Sequence, residues 1–282
     1  MALILDSLEI HNFRGLKELC IDRLGRVNLL TGKNNVGKTS VLEALRLYAN
    51  PGNVDVLIDL LRSKDQYADD LRWGSGLSRY YEIARREGMQ PPEPLVVSQY
   101  IPAVGLGLAQ IGDLWDRIAL TSHEEDVLEA LRLIDRNVER LILKPIETGS
   151  ETRVPFVKLA GEPGPISLRS LGDGMNRLFG VALALVNAKD GFLLIDEVEN
   201  GLHYSIQPDL WRLIFEASKQ MNVQVFATTH SYDCVRAFDE AARGSEEEGV
   251  VIRLARKAGR IVVGEFDERE LGIAVEGQIE VR

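Results

Sequence analysis

The stretch Gly32-Lys33-Asn34-Asn35-Val36-Gly37-Lys38-Thr39 has the pattern G-x-x-x-x-G-K-T. An apolar run at residues 27–30 precedes it, and a segment with helical periodicity follows from Ser40 onward. Glycines let a loop backbone pass close to a polyphosphate, and the free N–H groups at a helix start attract anions. The pattern therefore predicts a phosphate-binding loop between a strand and a helix, and hence a nucleoside triphosphate ligand.

Within this loop, Lys38 supplies a full positive charge for the phosphates, and Thr39 is the expected ligand of Mg²⁺. We expect contacts to ATP along the whole stretch, from Gly32, Lys33, Asn34, Asn35, Val36, Gly37, Lys38, Thr39 and Ser40.

Two carboxylates follow a second apolar run. Residues 192–195 predict a buried strand, and Asp196 and Glu197 come directly after it. In a parallel sheet with a phosphate loop, this strand end lies beside the phosphates. We expect Asp196 to hold Mg²⁺, directly or through its hydration shell, and Glu197 to orient and deprotonate the attacking water.

His230 follows a third predicted strand, at residues 223–227. With this order of motifs the chain resembles the ABC-type ATPases. The resemblance implies that His230 is the switch histidine that contacts the γ-phosphate.

The segment Ser170-Leu171-Gly172-Asp173-Gly174-Met175-Asn176-Arg177 lies where ABC-type proteins have their signature motif. It resembles L-S-G-G-Q, but Gly172 stands at the usual serine and Met175 at the usual glutamine. Its glycines and helix start still form a workable anion site. The resemblance implies nucleotide contacts from Ser170, Gly172, Asp173 and Gly174.

Two further loops of the family have counterparts here. Residues 198–203 match the position of the D-loop, with His203 either structural or part of an interface. Gln99, after a candidate strand at 95–97, is the best-placed candidate for the Q-loop glutamine, ahead of Gln110, although the sequence around Gln99 favours a surface glutamine.

The N-terminal segment Leu8-Glu9-Ile10-His11-Asn12-Phe13-Arg14-Gly15-Leu16 resembles the start of the SMC, RecF and OLD-like branch of AAA-type ATPases. The resemblance implies an ABC-type head that dimerises head to tail, with ATP between one subunit's phosphate loop and the other's signature. It also suggests that Arg14 assists at the nucleotide.

The fold class expected is α/β, a P-loop NTPase of ABC-ATPase type. Its mostly parallel sheet has flanking helices, a β-rich N-terminal part and a small inserted helical lobe. We expect one domain over 1–282, with a nucleotide-binding core at 1–50 and 165–282 and the partly helical lobe at 53–164.

A capping box at 122–125 predicts one amphipathic helix with an apolar face running to Leu141, which is too short for an SMC coiled coil. About 50 residues follow His230, too few for the Toprim nuclease domain of OLD-type proteins. The segment at 64–94 has no clear pattern.

Composition sets broad limits. The net charge of −10 argues against a surface that coats nucleic acid throughout, so any DNA contact needs a local patch. Cys20 and Cys234 lie far apart and predict reduced structural thiols rather than a zinc site. With no long apolar segment and no export signature at the start, we expect a cytoplasmic protein.

The function expected is an ATP-hydrolysing switch that forms a homodimer with ATP and Mg²⁺ and serves DNA repair or anti-phage defence, with DNA or an effector protein as partner. One alternative is a non-hydrolysing, nucleotide-gated scaffold, which the altered signature favours. Another is the ATPase subunit of a transporter. A GTPase is disfavoured because no N-K-x-D guanine motif lies at the right place.

Overall fold

The computed structural model describes residues 2–62, 93–147, 152–245, 248–257, 259–267 and 270–272. Most of the stretch at 64–94 lies outside the described residues. The helices are α1 (Lys38–Ala49), α2 (Val54–Arg62), α3 (Leu108–Ile118), α4 (His123–Arg132), α5 (Asp173–Val186), α6 (Gln207–Gln220) and α7 (Tyr232–Ala242). The strands are β1 (Leu8–Phe13), β2 (Leu16–Ile21), β3 (Val27–Thr31), β4 (Ser98–Ile101), β5 (Val138–Pro145), β6 (Arg153–Leu159), β7 (Ile166–Ser167), β8 (Phe192–Ile195), β9 (Gln224–Thr228), β10 (Gly249–Lys257) and β11 (Arg260–Phe266).

Six of the described strands form the central sheet, in the order β11-β10-β3-β9-β8-β4. All neighbours are parallel except β10 and β11, which form an antiparallel pair at one edge. The mostly parallel α/β sheet predicted from the sequence is confirmed. Because β3, β9 and β8 are parallel neighbours, their carboxyl ends lie at one edge of the sheet.

The sheet is buried on both faces, which is why β3, β8 and β9 are apolar without alternation. One face carries Leu29, Leu193 and Val225 and packs against helices α3 to α7. The opposite face carries Leu30, Leu194 and Phe226 and packs against α1 and the β1–β2 hairpin. This hairpin is the β-rich entry expected at the N-terminus.

The region from 93 to 167 departs from three sequence-based expectations. The predicted helix beyond residue 122 ends at Arg132, and residues 138 and 141 of its expected apolar face belong to β5. Ser122 makes no side-chain cap hydrogen bond, so the predicted capping box is wrong. The candidate strand at 95–97 is displaced to β4, because the strand pairs with β8 only from Ser98 onward.

This region is also less helical than expected. It contributes β4 to the central sheet and forms a separate antiparallel sheet, β5-β6-β7. The division of the chain into a core and an inserted lobe at 53–164 stays a prediction.

Both cysteines are free; Cys234 is buried and Cys20 is exposed. The Cys20 thiol donates to the Asp22 carboxylate, and this bond raises the pKa of the thiol to about 11. Among the described residues, no helix is both long and apolar enough to cross a membrane.

Candidate functional site

The phosphate loop joins β3 to α1 in a conformation that only glycine adopts easily. Gly32 has φ +136° and Gly37 has φ +104°. A β-carbon on Gly32 would lie 2.3 Å from the carbonyl oxygen of Leu254, and one on Gly37 would lie 2.7 Å from Leu16 Cδ2. The neighbouring backbone and the β2 side chain thus leave room for glycine alone at both positions.

The other loop residues divide into two sets. Lys33, Asn34 and Asn35 are exposed at the crest, and Asn35 has φ +63°. Val36 is buried in the cluster beneath the loop. The crest therefore presents backbone and amide groups to solvent, while Val36 anchors the loop.

Lys38 is buried although it carries a charge. Its ammonium donates to the carbonyl oxygens of Gly32, at 2.6 Å, and Lys33, at 3.1 Å. Burial lowers the pKa of Lys38, and the nearby carboxylates, Glu197 foremost, oppose this shift. The charge is thus held against the inside of the loop.

Thr39 meets Asp196 across the end of the sheet. The threonine hydroxyl lies 3.2 and 3.3 Å from the two carboxylate oxygens. One hydroxyl and one carboxylate, completed by phosphate oxygens and water, are the donors that Mg²⁺ commonly takes in nucleotide sites. The pair therefore fits the cation that the sequence predicts.

Thr228, at the end of β9, connects the two acidic residues. Its hydroxyl donates to Asp196 Oδ1 at 2.6 Å and accepts the backbone N–H of Glu197 at 2.8 Å. No role for Thr228 was predicted from the sequence. Its signal was its position, since it ends a buried strand beside His230.

Glu197 adopts φ +47°, which is uncommon for a residue with a side chain. Its Oε2 accepts a hydrogen bond from the Asn200 amide at 2.7 Å, and the same amide donates to the Ala103 carbonyl at 3.2 Å. Glu197 Oε1 lies 3.7 Å from His230 Nδ1. The predicted base and the predicted switch histidine are thus brought together, and Asn200 orients the base.

A buried arginine, Arg177, supports this strand end. It donates to the carbonyl oxygens of Asp196 and Glu197, both at 2.7 Å, and to that of Pro102 at 2.9 Å. Burial lowers the pKa of its guanidinium, and the charges of nearby carboxylates oppose the shift. Arg177 lies within the predicted signature segment, but the sequence did not predict this supporting role.

The predicted signature residues lie around the start of α5. Ser170, Gly172 and Asp173 are exposed, and Gly172 has φ +99°. Met175, at the position of the family's glutamine, is buried in the core. The segment therefore offers exposed backbone and a serine hydroxyl, while Met175 anchors the helix.

The loop at 198–203 packs against this helix start. A β-carbon on Gly174 would lie 3.2 Å from the Gly201 carbonyl oxygen, and one on Gly201 would lie 3.3 Å from Asp173 Cβ. His203 is exposed and lies 2.9 Å from the Ser205 hydroxyl. The predicted signature and D-loop segments are thus neighbours within one chain.

Arg14 lies in the turn of the β1–β2 hairpin and is tied to the helices beside it. Its Nε donates to the buried Glu43 carboxylate at 3.1 Å, and its guanidinium also donates to the Leu60 carbonyl at 3.1 Å. These bonds attach the hairpin to α1 and α2. Contact between Arg14 and nucleotide stays a prediction.

Gln99 lies within β4 rather than after a strand. Its amide is 3.5 Å from the carbonyl oxygen of Asn187, on the α5 side. Its neighbour Tyr100 is the residue that faces α1, with Arg46 stacked 4.2 Å from the ring centre. This orientation turns the Gln99 side chain away from the face that carries Thr39, and the Q-loop role of Gln99 stays a prediction.

Two family models match the sequence of this chain. A family model described as "AAA domain, putative AbiEii toxin, Type IV TA system" matches residues 53–233. A second family model, described as an AAA ATPase domain, matches residues 3–72.

Curated relatives include ATPase-related proteins. The chain is 22% identical to an ATP/GTP phosphatase of Helicobacter pylori over 334 residues, which covers 85% of this chain and 89% of that protein. A stretch of 45 residues is 47% identical to an uncharacterised protein of Methanocaldococcus jannaschii, covering 16% of this chain. The DNA replication and repair protein RecF of Salinibacter ruber is 33% identical over 118 residues, or 42% of this chain. The matches span 20% of the Methanocaldococcus protein and 26% of this RecF.

Solved structures share the fold. An SMC head bound to the C-terminal winged-helix domain of ScpA superposes with a TM-score of 0.59 at 14% identity, covering 93% of this chain and 98% of that one. The SMC head domain of Thermotoga maritima gives a TM-score of 0.52, also at 14% identity and with the same coverage. At such identities the likeness establishes the fold alone, which is that of the SMC head domains.

Proposed function

The chain belongs to the AAA-domain family whose model spans residues 53–233, and we propose that it is an Mg²⁺-dependent ATPase that works as a switch, closing into a homodimer on ATP and opening after hydrolysis. The observation that carries the proposal is the meeting of Thr39 with Asp196 at the sheet edge that also bears Lys38.

Binding of ATP follows from the phosphate loop. The glycine backbone at 32–37 and the N-terminus of α1 surround the phosphates with N–H groups, and Lys38 adds a charge held close to the loop. Thr39 and Asp196 hold Mg²⁺, which neutralises charge on the phosphate oxygens. We expect triphosphate and cation to bind together, because each supplies ligands or charge to the other.

Hydrolysis requires a base beside the γ-phosphate. Glu197 directly follows the metal-binding Asp196, and the Asn200 amide fixes its carboxylate. Glu197 therefore accepts a proton from the attacking water, while His230, on the neighbouring loop, contacts the γ-phosphate.

The homodimer rests on the exposed signature segment. Ser170, Gly172 and Asp173 face solvent at a helix start, and Asp173 and Gly174 lie against Gly201 of the loop at 198–203 within the same chain. A helix start with free N–H groups is an anion site, and the phosphates of ATP bound to a second copy are an anion of the right kind. Because Gly172 stands where the family usually has serine, the hydrogen-bond donors to these phosphates are backbone N–H groups and the Ser170 hydroxyl.

The test is the mass of Glu197→Gln protein measured by light scattering on a sizing column, with and without Mg-ATP. We expect a dimer only with Mg-ATP, because blocked hydrolysis retains the closed form. Glu197→Gln combined with Lys38→Ala is the control and should stay monomeric. A monomer with Mg-ATP at saturating concentration would refute the dimer, and normal turnover by Glu197→Gln would refute the assigned base.

We propose that DNA or an effector protein is the partner that responds to the switch between the closed and open forms. This part rests on resemblance to the RecF and SMC branch, and the net charge of −10 confines any DNA contact to a local patch. Binding of duplex and single-stranded DNA to Glu197→Gln protein at low salt tests it, since phosphate contacts are strongest there. If neither form of DNA binds with or without ATP, the DNA part of the proposal is wrong and an effector protein remains the proposed partner.

A further inference from the structure

We propose that Glu199 is a positioning residue that fixes the switch histidine, His230, beside the base. The hydrolysis part of this inference rests on the proposed function. The geometric part rests on contacts between the loop after β8, which carries Glu199, and the loop after β9, which carries His230.

Glu199 makes three contacts through one oxygen. Its Oε1 accepts the Thr229 hydroxyl at 2.7 Å and the backbone N–H of His230 at 3.1 Å, and it lies 3.4 Å from His230 Nδ1. Two consecutive residues of one loop are thereby fastened to a single carboxylate of the neighbouring loop. The backbone from which the imidazole extends is therefore held in place, and Nδ1 lies beside the same carboxylate oxygen.

The burial of Glu199 strengthens this point. Its side chain is 8% exposed, whereas those of Glu197 and His230 are 36% and 48% exposed. Among the described residues, the second oxygen, Oε2, is buried without a hydrogen-bond partner. Burying a carboxylate with one oxygen unpaired costs stability. A buried carboxylate retained at such a cost indicates a role in the site rather than in the stability of the fold.

The approach of Nδ1 to Glu199 also bears on which ring nitrogen of His230 carries the proton. A ring nitrogen that faces a carboxylate carries a proton, and this leaves the opposite nitrogen, Nε2, for the other partner of the ring. Glu197 Oε1 lies 3.7 Å from the same Nδ1, slightly farther than Glu199. We therefore expect Nδ1 to carry the ring proton and to face Glu199, so that Glu197 stays available to accept the proton of water.

Kinetics provide the first test. Glu199→Ala should lower kcat about 10- to 100-fold, the usual effect of removing a partner that orients a functional side chain, with KM within about twofold. Glu199→Gln keeps an acceptor oxygen of the same reach and should recover kcat to within about threefold of wild type. The matched control is Asp239→Ala, which removes another buried carboxylate, on α7, where Asp239 pairs with Arg243. Asp239→Ala should leave kcat unchanged.

Equal loss in Glu199→Ala and Glu199→Gln, or kcat of Glu199→Ala within threefold of wild type, would overturn the inference. So would an equal loss in Asp239→Ala, because this would show a general effect of removing buried charge.

Nitrogen NMR of ¹⁵N-histidine-labelled protein without nucleotide tests the geometry independently of activity. The four histidines can be assigned by single substitutions, with His230→Gln identifying the signal of interest. We expect Nδ1 of His230 to carry a proton in wild type and in Glu199→Gln, and to lose this preference in Glu199→Ala. If the His230 signals are the same in Glu199→Ala as in wild type, the inference is refuted, whether or not the protein hydrolyses ATP. Failure of wild type to hydrolyse ATP, with the NMR result as expected, refutes the proposed function alone.

Discussion

The hydroxyl of Thr39 lies 3.2 Å from a carboxylate oxygen of Asp196, although 157 positions separate the two residues in the chain. The strands that precede Thr39 and Asp196 in the chain, β3 and β8, are not neighbours, since β9 lies between them. The hydroxyl and carboxylate therefore meet across the carboxyl end of β9. This contact depends on the order of strands in the sheet and links the phosphate loop to the acidic strand end.

Replacing Thr39 by valine removes one predicted metal ligand while nearly preserving shape. We expect the Mg²⁺ concentration for half-maximal ATP hydrolysis to rise roughly 10- to 100-fold, with little change in thermal stability. Thr121→Val is the control, because the Thr121 hydroxyl makes its hydrogen bonds locally, donating to the Ile118 carbonyl at the end of α3 and accepting the backbone N–H of His123. An unchanged Mg²⁺ requirement in Thr39→Val would remove Thr39 from the metal site.

Lys38→Ala should weaken ATP binding roughly 10- to 100-fold, the effect of losing a charge-assisted hydrogen bond of about 1.5–3 kcal/mol. Titration with a fluorescent ATP analogue measures this loss. Lys17→Ala removes an exposed lysine of β2 and should bind as wild type does. Similar affinities for both variants would contradict the assignment.

Glu197→Gln should bind ATP normally and hydrolyse it about 10²- to 10⁴-fold more slowly, the span typical of losing an acid–base residue. Single-turnover hydrolysis separates this effect from product release. Glu216→Gln, an exposed change on α6, is the matched control and should turn over at the wild-type rate. A loss of ATP affinity in Glu197→Gln would instead indicate a binding role.

Gly32→Ala should destabilise the fold by roughly 1–3 kcal/mol, because alanine is strained at φ +136° and its β-carbon would lie 2.3 Å from the Leu254 carbonyl oxygen. Urea unfolding measures this loss. Gly15→Ala is the control, since no atom lies within 4 Å of the added carbon, and it should change stability by less than about 0.5 kcal/mol. Equal stability of the two variants would show that the loop can rearrange around alanine.

The central sheet could be predicted from the sequence where two signals coincided. The phosphate loop has a fixed residue pattern, and β8 and β9 are apolar runs that end in polar groups. The segments at residues 250–254 and 260–266 also predict a terminal pair of strands, and the structure confirms this pair in β10 and β11.

The prediction for residues 122–141 was wrong for a physical reason. Apolar residues at 127, 131, 134, 138 and 141 fit a helical stripe, and the spacing of three between Val138 and Leu141 does not match the alternation of a regular strand. Both residues are nevertheless buried in β5, whose register shifts between Val138 and Arg140. The chain turns at Asp135, whose carboxylate accepts the backbone N–H of Asn137. Pairing of β5 with β6 then decides the outcome, and this long-range pairing leaves no signal in the local pattern.

In the candidate site, local patterns indicated residues that would touch ligand but not those that support them. Arg177 acts on three carbonyl groups that belong to two different loops, and Glu199 acts on residues after another strand. No residue type or spacing near Arg177 or Glu199 specifies those partners. Their roles became visible only with the strand order.

One hydroxyl, that of Thr228, is bonded both to the Asp196 carboxylate and to the Glu197 backbone. The proposed cation ligand and the backbone of the proposed base therefore share one hydrogen-bond partner. A change at Thr228 should consequently disturb both groups at once, although the residue is placed to touch neither nucleotide nor cation.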